Sequence, residues 1–264
     1  MELELIMRRK IVIAFLSCIC TAVAISAADK PDTLKIMTYN LRFGELSSMT
    51  QIGEYIASES PDFVALQECD WATRRKRAPH QHGVKFVNEL AYRSGMFGLY
   101  GKSIDYAGGY YGIGLLSRYP IIRSERVLLP NDGKTEQRSM LIADVELPSK
   151  QIVTFICTHL EVKSSRMRQE QVRFINKHLK DIRNRIVLCG DMNAEPSSAE
   201  MQMLRKDWAY LTDDELTFST MQPYTKIDYI WSRPASSVEL LSTRVCKDVK
   251  LSDHFPVISE IAIK

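Results

Sequence analysis

Hydrophobic and polar positions along this chain fall into short apolar stretches, most of them ending in a polar tip. Leu34 to Asn40 reads as a strand, and Asp62 to Glu68 as a buried one carrying Phe63-Val64-Ala65-Leu66. Gly109 to Ser117, Ile121 to Leu129, Ser139 to Leu147 and Gln151 to Thr158 alternate or run apolar. Tyr119-Pro120, Asn131-Asp132-Gly133 and Pro148-Ser149 punctuate them as turns. Arg185 to Cys189, Ile227 to Trp231, Val238 to Val245 and Phe255 to Ile263 complete the strands. Helical spacing appears in four places. Ser48 to Ala57 carries Ile52, Tyr55 and Ile56; Val84 to Tyr92 follows; Ser165 to Ile182 lines Val172, Ile175, Leu179 and Ile182 along one face; Ser197 to Lys206 is short. Residues 69–82 read as a polar loop. Strands at both ends and in the middle, with few helices between, predict an α/β fold. Its core would be two packed, mostly antiparallel sheets flanked by helices.

No linker, repeat or low-complexity tract divides the chain from Thr33 onward, so residues 29–264 are expected to be one domain. The first 28 residues carry another pattern. Arg8-Arg9-Lys10 precedes an apolar stretch from Ile11 to Ile25, and Ser26-Ala27-Ala28 offers small residues before Asp29. That is the pattern of a secretory signal peptide, with Met7 as an alternative start, and the apolar run is short for a membrane span. The expectation is an exported protein, periplasmic or extracellular, with no membrane-spanning segment in the mature chain. Lipid anchoring through Cys18 is a weaker reading. Three cations and two acids leave with such a leader, so 32 Lys+Arg would face 30 Asp+Glu. So balanced a surface makes nucleic acid a less favoured partner, although a local basic patch can hide inside a neutral total. Cys69, Cys157, Cys189 and Cys246 remain and are expected to be free core thiols. A monomer is the expected state.

The polar tips carry the chemistry. Glu68, ending a buried strand, is the best single ligand for a hard cation such as Mg²⁺, and Asn40 offers a neutral oxygen beside it. Each alone is more often a strand-end charge or a turn residue. Asp191 and Asn193 are two apart, so an extended backbone would set both on one face. Asp191 could then orient or deprotonate a water while Asn193 donates to a phosphoryl oxygen; alone, the pair reads as an Asx turn. His254 can contact a phosphate if an acid holds its other nitrogen, and Asp228 is the natural one. Asp253 could face a metal, and His159 could donate to the phosphoryl group or leaving oxygen. The joint occurrence in order, each at the end of an apolar run, outweighs any single piece.

Three features bear on substrate choice. Arg74, Arg75 and Arg77 follow Glu68 closely and could bind a second phosphate, or form a solvated charge run that also holds His80 and His82. Tyr110 and Tyr111, in the aromatic–glycine segment from Tyr106, could stack on a base, sugar or lipid head group, or belong to an ordinary hairpin. Arg138 opens a strand and could reach a phosphate or make a structural ion pair.

The segments Thr38-Tyr39-Asn40-Leu41-Arg42, Leu66-Gln67-Glu68, Leu115-Leu116-Ser117-Arg118-Tyr119-Pro120, Thr158-His159-Leu160, Gly190-Asp191-Met192-Asn193-Ala194, Lys226 to Trp231 and Ser252 to Val257 together resemble the endonuclease/exonuclease/phosphatase superfamily. The resemblance spans roughly residues 33–264. It implies a four-layer α/β sandwich and Mg²⁺- or Mn²⁺-dependent phosphoester hydrolysis. It implies metal-site roles for Asn40, Glu68 and Asp253, and catalytic roles for His159, Asp191, Asn193, Asp228 and His254. Abasic-site members carry an acid two positions after the first-strand Asn; this chain has Arg42 there, which counts against that activity. The leading expectation is a phosphoesterase acting on a small or lipid-derived phosphomonoester or phosphodiester. A secreted nuclease and a non-catalytic binding protein on the same scaffold are the alternatives.

Overall fold

The computed structural model describes residues 32–264, so the leader and Cys18 readings lie outside the described residues. These residues form one compact unit. Twelve strands run in chain order as β1 (Thr33–Asn40), β2 (Phe63–Trp71), β3 (Phe97–Tyr106), β4 (Gly109–Ser117), β5 (Ile121–Leu128), β6 (Ser139–Glu146), β7 (Ile152–His159), β8 (Arg185–Asp191), β9 (Ala209–Tyr210), β10 (Asp228–Arg233), β11 (Val238–Val245) and β12 (Val257–Ile263). The helices are α1 (Met49–Glu59), α2 (Phe86–Ser94), α3 (Ser165–Leu179) and α4 (Ala199–Leu204). One sheet has the order β11-β12-β1-β2-β4-β3 and the other β5-β6-β7-β8-β10-β9. Pairing is antiparallel except for β1 with β2 and β7 with β8. The expected two-sheet α/β sandwich is what forms.

Strand periodicity explains the layers. Ile36, Phe63, Ala65, Phe155, Cys157, Val187, Cys189 and Ile230 point into the core between the sheets. Their neighbours Met37, Val64 and Leu66 point outward, under Ile52 and Ile56 of α1 and Val87 and Leu90 of α2. Ile156, Leu188, Tyr229 and Trp231 point to the other outside, under Val172, Ile175 and Leu179 of α3. A residue step of one moves a side chain to the opposite face, so both faces of the central strands are apolar and both are covered. Ser48 and Gln51 form a capping box that starts α1, and Ser164 accepts from Met167 N–H to start α3.

Parts of the fold depart from the sequence reading, among them the short strand Ala209–Tyr210, to which it assigns nothing, and the helices from Ser165 and Ala199, which are shorter than expected. Phe97–Tyr106 forms an edge strand to which the hydrophobic pattern assigns no element, because glycines and half-exposed positions break its alternation. The supposed loop at 69–82 begins with three residues that still belong to β2, and α2 starts at Phe86 rather than Val84. Among the described residues Cys69, Cys157, Cys189 and Cys246 are free and buried, as expected.

In each sheet the one parallel pair is joined by a helix: β1-α1-β2 and β7-α3-β8. Parallel strands end on the same side, so Asn40 ends β1 beside Gln67 and Glu68 of β2, and His159 ends β7 directly opposite Asp191 of β8.

The sheet-to-sheet core predicts one sensitive position. Phe155 and Phe63 stack with ring centroids 3.4 Å apart at 11°, both fully buried. Phe155→Ala is expected to lower the unfolding free energy by about 3–5 kcal/mol, read from urea denaturation. A loss below about 1 kcal/mol would mean that the sheets do not meet there.

Candidate active site

The backbone at the rim is shaped to aim side chains. Gly190 takes φ +155, and a Cβ there would sit 2.0 Å from the Thr158 carbonyl oxygen, so only glycine allows the close approach just before Asp191. The β2–β4 register slips between Leu66 and Cys69, and Glu68 within this bulge has φ 56. A bulge re-aims a side chain out of strict alternation, and here it turns Glu68 into the cleft. Asn193 has φ 48, so the backbone after Asp191 is not extended. This corrects the shared-face reading. The pair instead forms the Asx turn, with Asn193 N–H donating to Asp191 Oδ1 at 2.8 Å. Asn193 still faces the cleft, with Nδ2 donating to the Leu160 carbonyl at 3.1 Å.

One cleft of about 720 Å³ is lined by Glu68, Arg138, His159, Asp191, Asn193, Asp253 and His254, together with residues from segments 194–198 and 218–227. Asn40 and Asp228, both fully buried, lie beneath this lining and hold it together. Asn40 Nδ2 donates to Glu68 Oε1 at 3.2 Å and to Asp191 Oδ2 at 3.0 Å. Its own Oδ1 accepts Arg42 N–H at 2.9 Å. Asn40 is therefore a bridge between two carboxylates, with one lone pair of its oxygen engaged by the backbone. Asp228 accepts from His254 Nδ1 at 2.9 Å, leaving Nε2 3.7 Å from Asp191 Oδ2. Asp253 pairs with Arg42, which also binds Glu45 at 2.5 Å.

The two imidazoles are driven to opposite charge states. Burial alone would push His254 down, but the Asp228 charge and hydrogen bond outweigh it, with Asp191 and Asp253 adding, and lift it to about 10. His254 is then a cation with a proton on each nitrogen. His159 is pushed well below its ordinary value by burial, then by the positive charges of Arg138 and His254. Arg138 Nη1 donates to His159 Nδ1 at 2.8 Å, so the neutral ring carries its proton on Nε2, 3.4 Å from Asp191 Oδ2. Burial, then the nearby Asp228 charge, lifts Asp191 to about 7 against the pull of His254. Burial also raises Glu68, against the pull of His254 and the Asn40 hydrogen bond.

These donors fit a hard divalent ion at the Glu68–Asp191 end. Two carboxylates share one amide donor and sit in strain-relieving reach of a cation, and oxygen is what Mg²⁺ and Mn²⁺ prefer. Asp191, Asp228 and His254 also present one ligand atom each within 4.8 Å of one another. In that group Asp228 already accepts from His254 Nδ1 at 2.9 Å.

Of the expected substrate residues, Arg138 alone lines this cleft; it is buried, its Nε has no hydrogen-bond partner among the described residues, and Glu136 lies 3.2 Å from Nη1. Arg75 lies outside this cleft and is engaged by Asp70. It makes two 2.9 Å bonds to Asp70 and lies 4.1 Å from the ring centroids of both Phe43 and Tyr106. Arg77 is likewise occupied, in a two-bond pair with Glu45. Tyr111 is buried, and Tyr110 lines a separate hollow with Trp71 and Tyr106. Arg74 is exposed and lines neither. Sequence reasoning missed the outer lining: Arg168, Glu195, Ser197, Phe218 and Tyr224. Only Glu195, directly after Ala194, lay beside a recognised motif.

A family model described as the Endonuclease/Exonuclease/phosphatase family matches residues 37–254. The Escherichia coli K12 protein YbhP, itself described as uncharacterized, is 24% identical over 87% of this chain and 96% of its own length. The crystal structure of an endonuclease/exonuclease/phosphatase from Beutenbergia cavernae superposes with TM-score 0.74 at 22% identity, covering 88% of this chain and 72% of that one. The Bacteroides thetaiotaomicron mannosyl-6-phosphatase Bt3783 superposes with TM-score 0.68 at 16% identity, covering 87% of this chain and all of that one. Such identities speak for a shared fold.

The geometry predicts how His254 titrates. In metal-free protein, Asp228→Asn is expected to drop its pKa from about 10 to the ordinary imidazole value or lower, read from ring-proton NMR shifts. A folded-state pKa above the unfolded one means stability fully present below the unfolded value near 6.5 and lost as pH rises through about 10. The stability gap between wild type and Asp228→Asn should therefore close across that window. A ring that still titrates near 10 in the variant would break the assignment.

Proposed function

The chain belongs to the endonuclease/exonuclease/phosphatase family, and from that premise we propose that it is a divalent-metal-dependent phosphoesterase working by in-line attack of water. Members of this family are generally hydrolases of phosphoesters. The observation that carries the reading is the convergence of Glu68, Asp191, His254 and Arg138 on one cleft from both sheets. A non-catalytic scaffold has no need of a buried acid raised to about 7 beside an imidazolium.

Glu68, with Asp191 beside it, would hold Mg²⁺ or Mn²⁺, and the ion when bound would neutralise charge on the phosphoryl group. Every other part comes from the chain. Asp191 has Oδ1 fixed by Asn193 and Oδ2 by Asn40, so a water bonded to it is held in one direction and can give it a proton. The water oxygen bonds to phosphorus as its proton passes to Asp191, the ester bond breaks with its electron pair going to the leaving oxygen, and that oxygen takes a proton from solvent while Asp191 returns its own to solvent. His254 donates from Nε2 as a cation and His159 from Nε2 as a neutral group, so charge growing on the phosphoryl oxygens meets preset donors. Arg138 adds a buried guanidinium aimed at the same place. An exported setting belongs to the same proposal, supported by the leader-like residues 7–28.

With Mg²⁺ and bis(4-nitrophenyl) phosphate or 4-nitrophenyl phosphate, Asp191→Asn and His254→Ala are each expected to lower kcat by about 100-fold or more. A chelator should abolish turnover, and Mg²⁺ or Mn²⁺ should restore it. Folded variants that keep near-normal kcat, or wild-type turnover indifferent to chelator, would overturn the proposal.

A further inference from the structure

The cleft does not end at the reacting groups. It continues between the 193–198 segment and the 218–225 segment. The His254 ring packs on Phe218 with centroids 4.7 Å apart, and Phe218 meets Tyr224 edge-on at 5.3 Å and 73°. An aromatic wall thus leads outward from the imidazolium. Its last ring, Tyr224, is 66% exposed, displayed rather than buried.

Beyond the aromatic wall this outer lining mixes apolar Val162, Ala194 and Ile227 with polar groups, and its two charged side chains are held in place. Arg168 is held by Glu200 at 2.5 Å through Nε and by the Glu161 and Val162 carbonyls at 3.1 and 3.0 Å through Nη1. Among the described residues nothing hydrogen-bonds its Nη2. Glu195 has one oxygen 3.3 Å from Thr225 Oγ1, and among the described residues no cation pairs with it. Buried Glu200 balances Arg168, so Glu195 gives the outer cleft a net negative charge.

This combination selects by exclusion. A second phosphate would meet the Glu195 charge. A polynucleotide needs successive cations along its backbone, and only Arg168 is present, already neutralised. An alkyl chain could lie against Val162 but would cover Arg168 Nη2 and the second Glu195 oxygen and leave those two atoms without a hydrogen-bond partner. Hydroxyl groups satisfy both, donating to Glu195 and accepting from Arg168, while a ring of C–H bonds lies on Tyr224. We infer that the outer half of the cleft is a leaving-group subsite for an uncharged, hydroxyl-bearing group, a sugar or polyol, with Glu195, Arg168 and Tyr224 setting specificity. The inference rests on the phosphoesterase reading and narrows its substrate class.

The test compares esters that differ only in the leaving group. A hexose 6-phosphate is set against hexyl phosphate, and the 4-nitrophenyl phosphodiesters of the same two alcohols cover diester chemistry. A dinucleotide is the charged comparison. In the full-length, Mg²⁺-loaded protein the hexose ester is expected to exceed the hexyl ester in kcat/KM by at least about 10-fold. Glu195→Gln and Tyr224→Ala, both at exposed positions, should each cut that ratio by roughly 5-fold or more. Because both esters are read on one enzyme, changes in metal loading or folded fraction cancel. If aryl esters are hydrolysed but the hexyl ester or dinucleotide is preferred, or neither variant moves the ratio, this inference fails and the phosphoesterase reading stands. If no ester is hydrolysed with any divalent ion, both fall together.

Discussion

A single buried amide joins the halves of this protein's chemistry. Asn40 ends the first strand of one sheet, and its Nδ2 binds both Glu68 of that sheet and Asp191 of the other. Those two acids are separated by more than a hundred residues, and nothing local brings them together. They meet because the sheets stack face to face through a continuous apolar core and because each carries one parallel strand pair ending on the same rim. The amide is fixed in turn by Arg42 N–H, so its orientation is set by the backbone. Without Asn40, two carboxylates would share a buried site with one fewer donor between them, and the spacing they offer a cation would be undefined.

The same rim separates two histidines that look alike in sequence. Each ends up beside Asp191, yet one has an acid behind it and the other a guanidinium. The group behind each ring decides its charge and its proton position. His254 can give charge to a substrate as well as a hydrogen bond; His159 can give only the hydrogen bond. A strand-end histidine therefore has no fixed role until the residue behind it is known, and Arg138 is the residue that fixes this one.

Much of this was legible in the sequence, for identifiable reasons. Strands such as β1, β2, β7 and β8 are buried on both faces, so their apolar runs are long and their polar ends stand out. The cleft's inner residues sit at those ends and were found there. The edge strand Phe97–Tyr106 was not found, since half-exposed positions carry little pattern. The arginines after Glu68 misled because cation count says nothing of partners. Asp70 lies five residues before Arg75 and binds it through two nitrogens, and Glu45 comes from a different loop to bind Arg77. The outer cleft was invisible for another reason: Phe218 and Tyr224 lie in an irregular segment whose place against His254 depends on tertiary contact alone.

Charge pairing around the rim gives the metal site its strongest physical argument. Asp253 is matched by Arg42, Asp228 by His254, Glu136 by Arg138, and Glu45 by Arg42 and Arg77. Glu68 and Asp191 are left with no lysine or arginine partner among the described residues, and burial raises the proton affinity of both. A protein can relieve such a pair by protonating one member or by binding a cation between them. Protonation would disable Asp191 as a water-orienting base, whereas a divalent ion would relieve the crowding and keep it ionised. Among the described residues two of the non-glycine positions with positive φ, Glu68 and Asn193, line this cleft. A cation-binding role for Glu68 and Asp191 follows from the balance of charge around them, with His254 the one cationic side chain in ion-pair reach of Asp191 among the described residues.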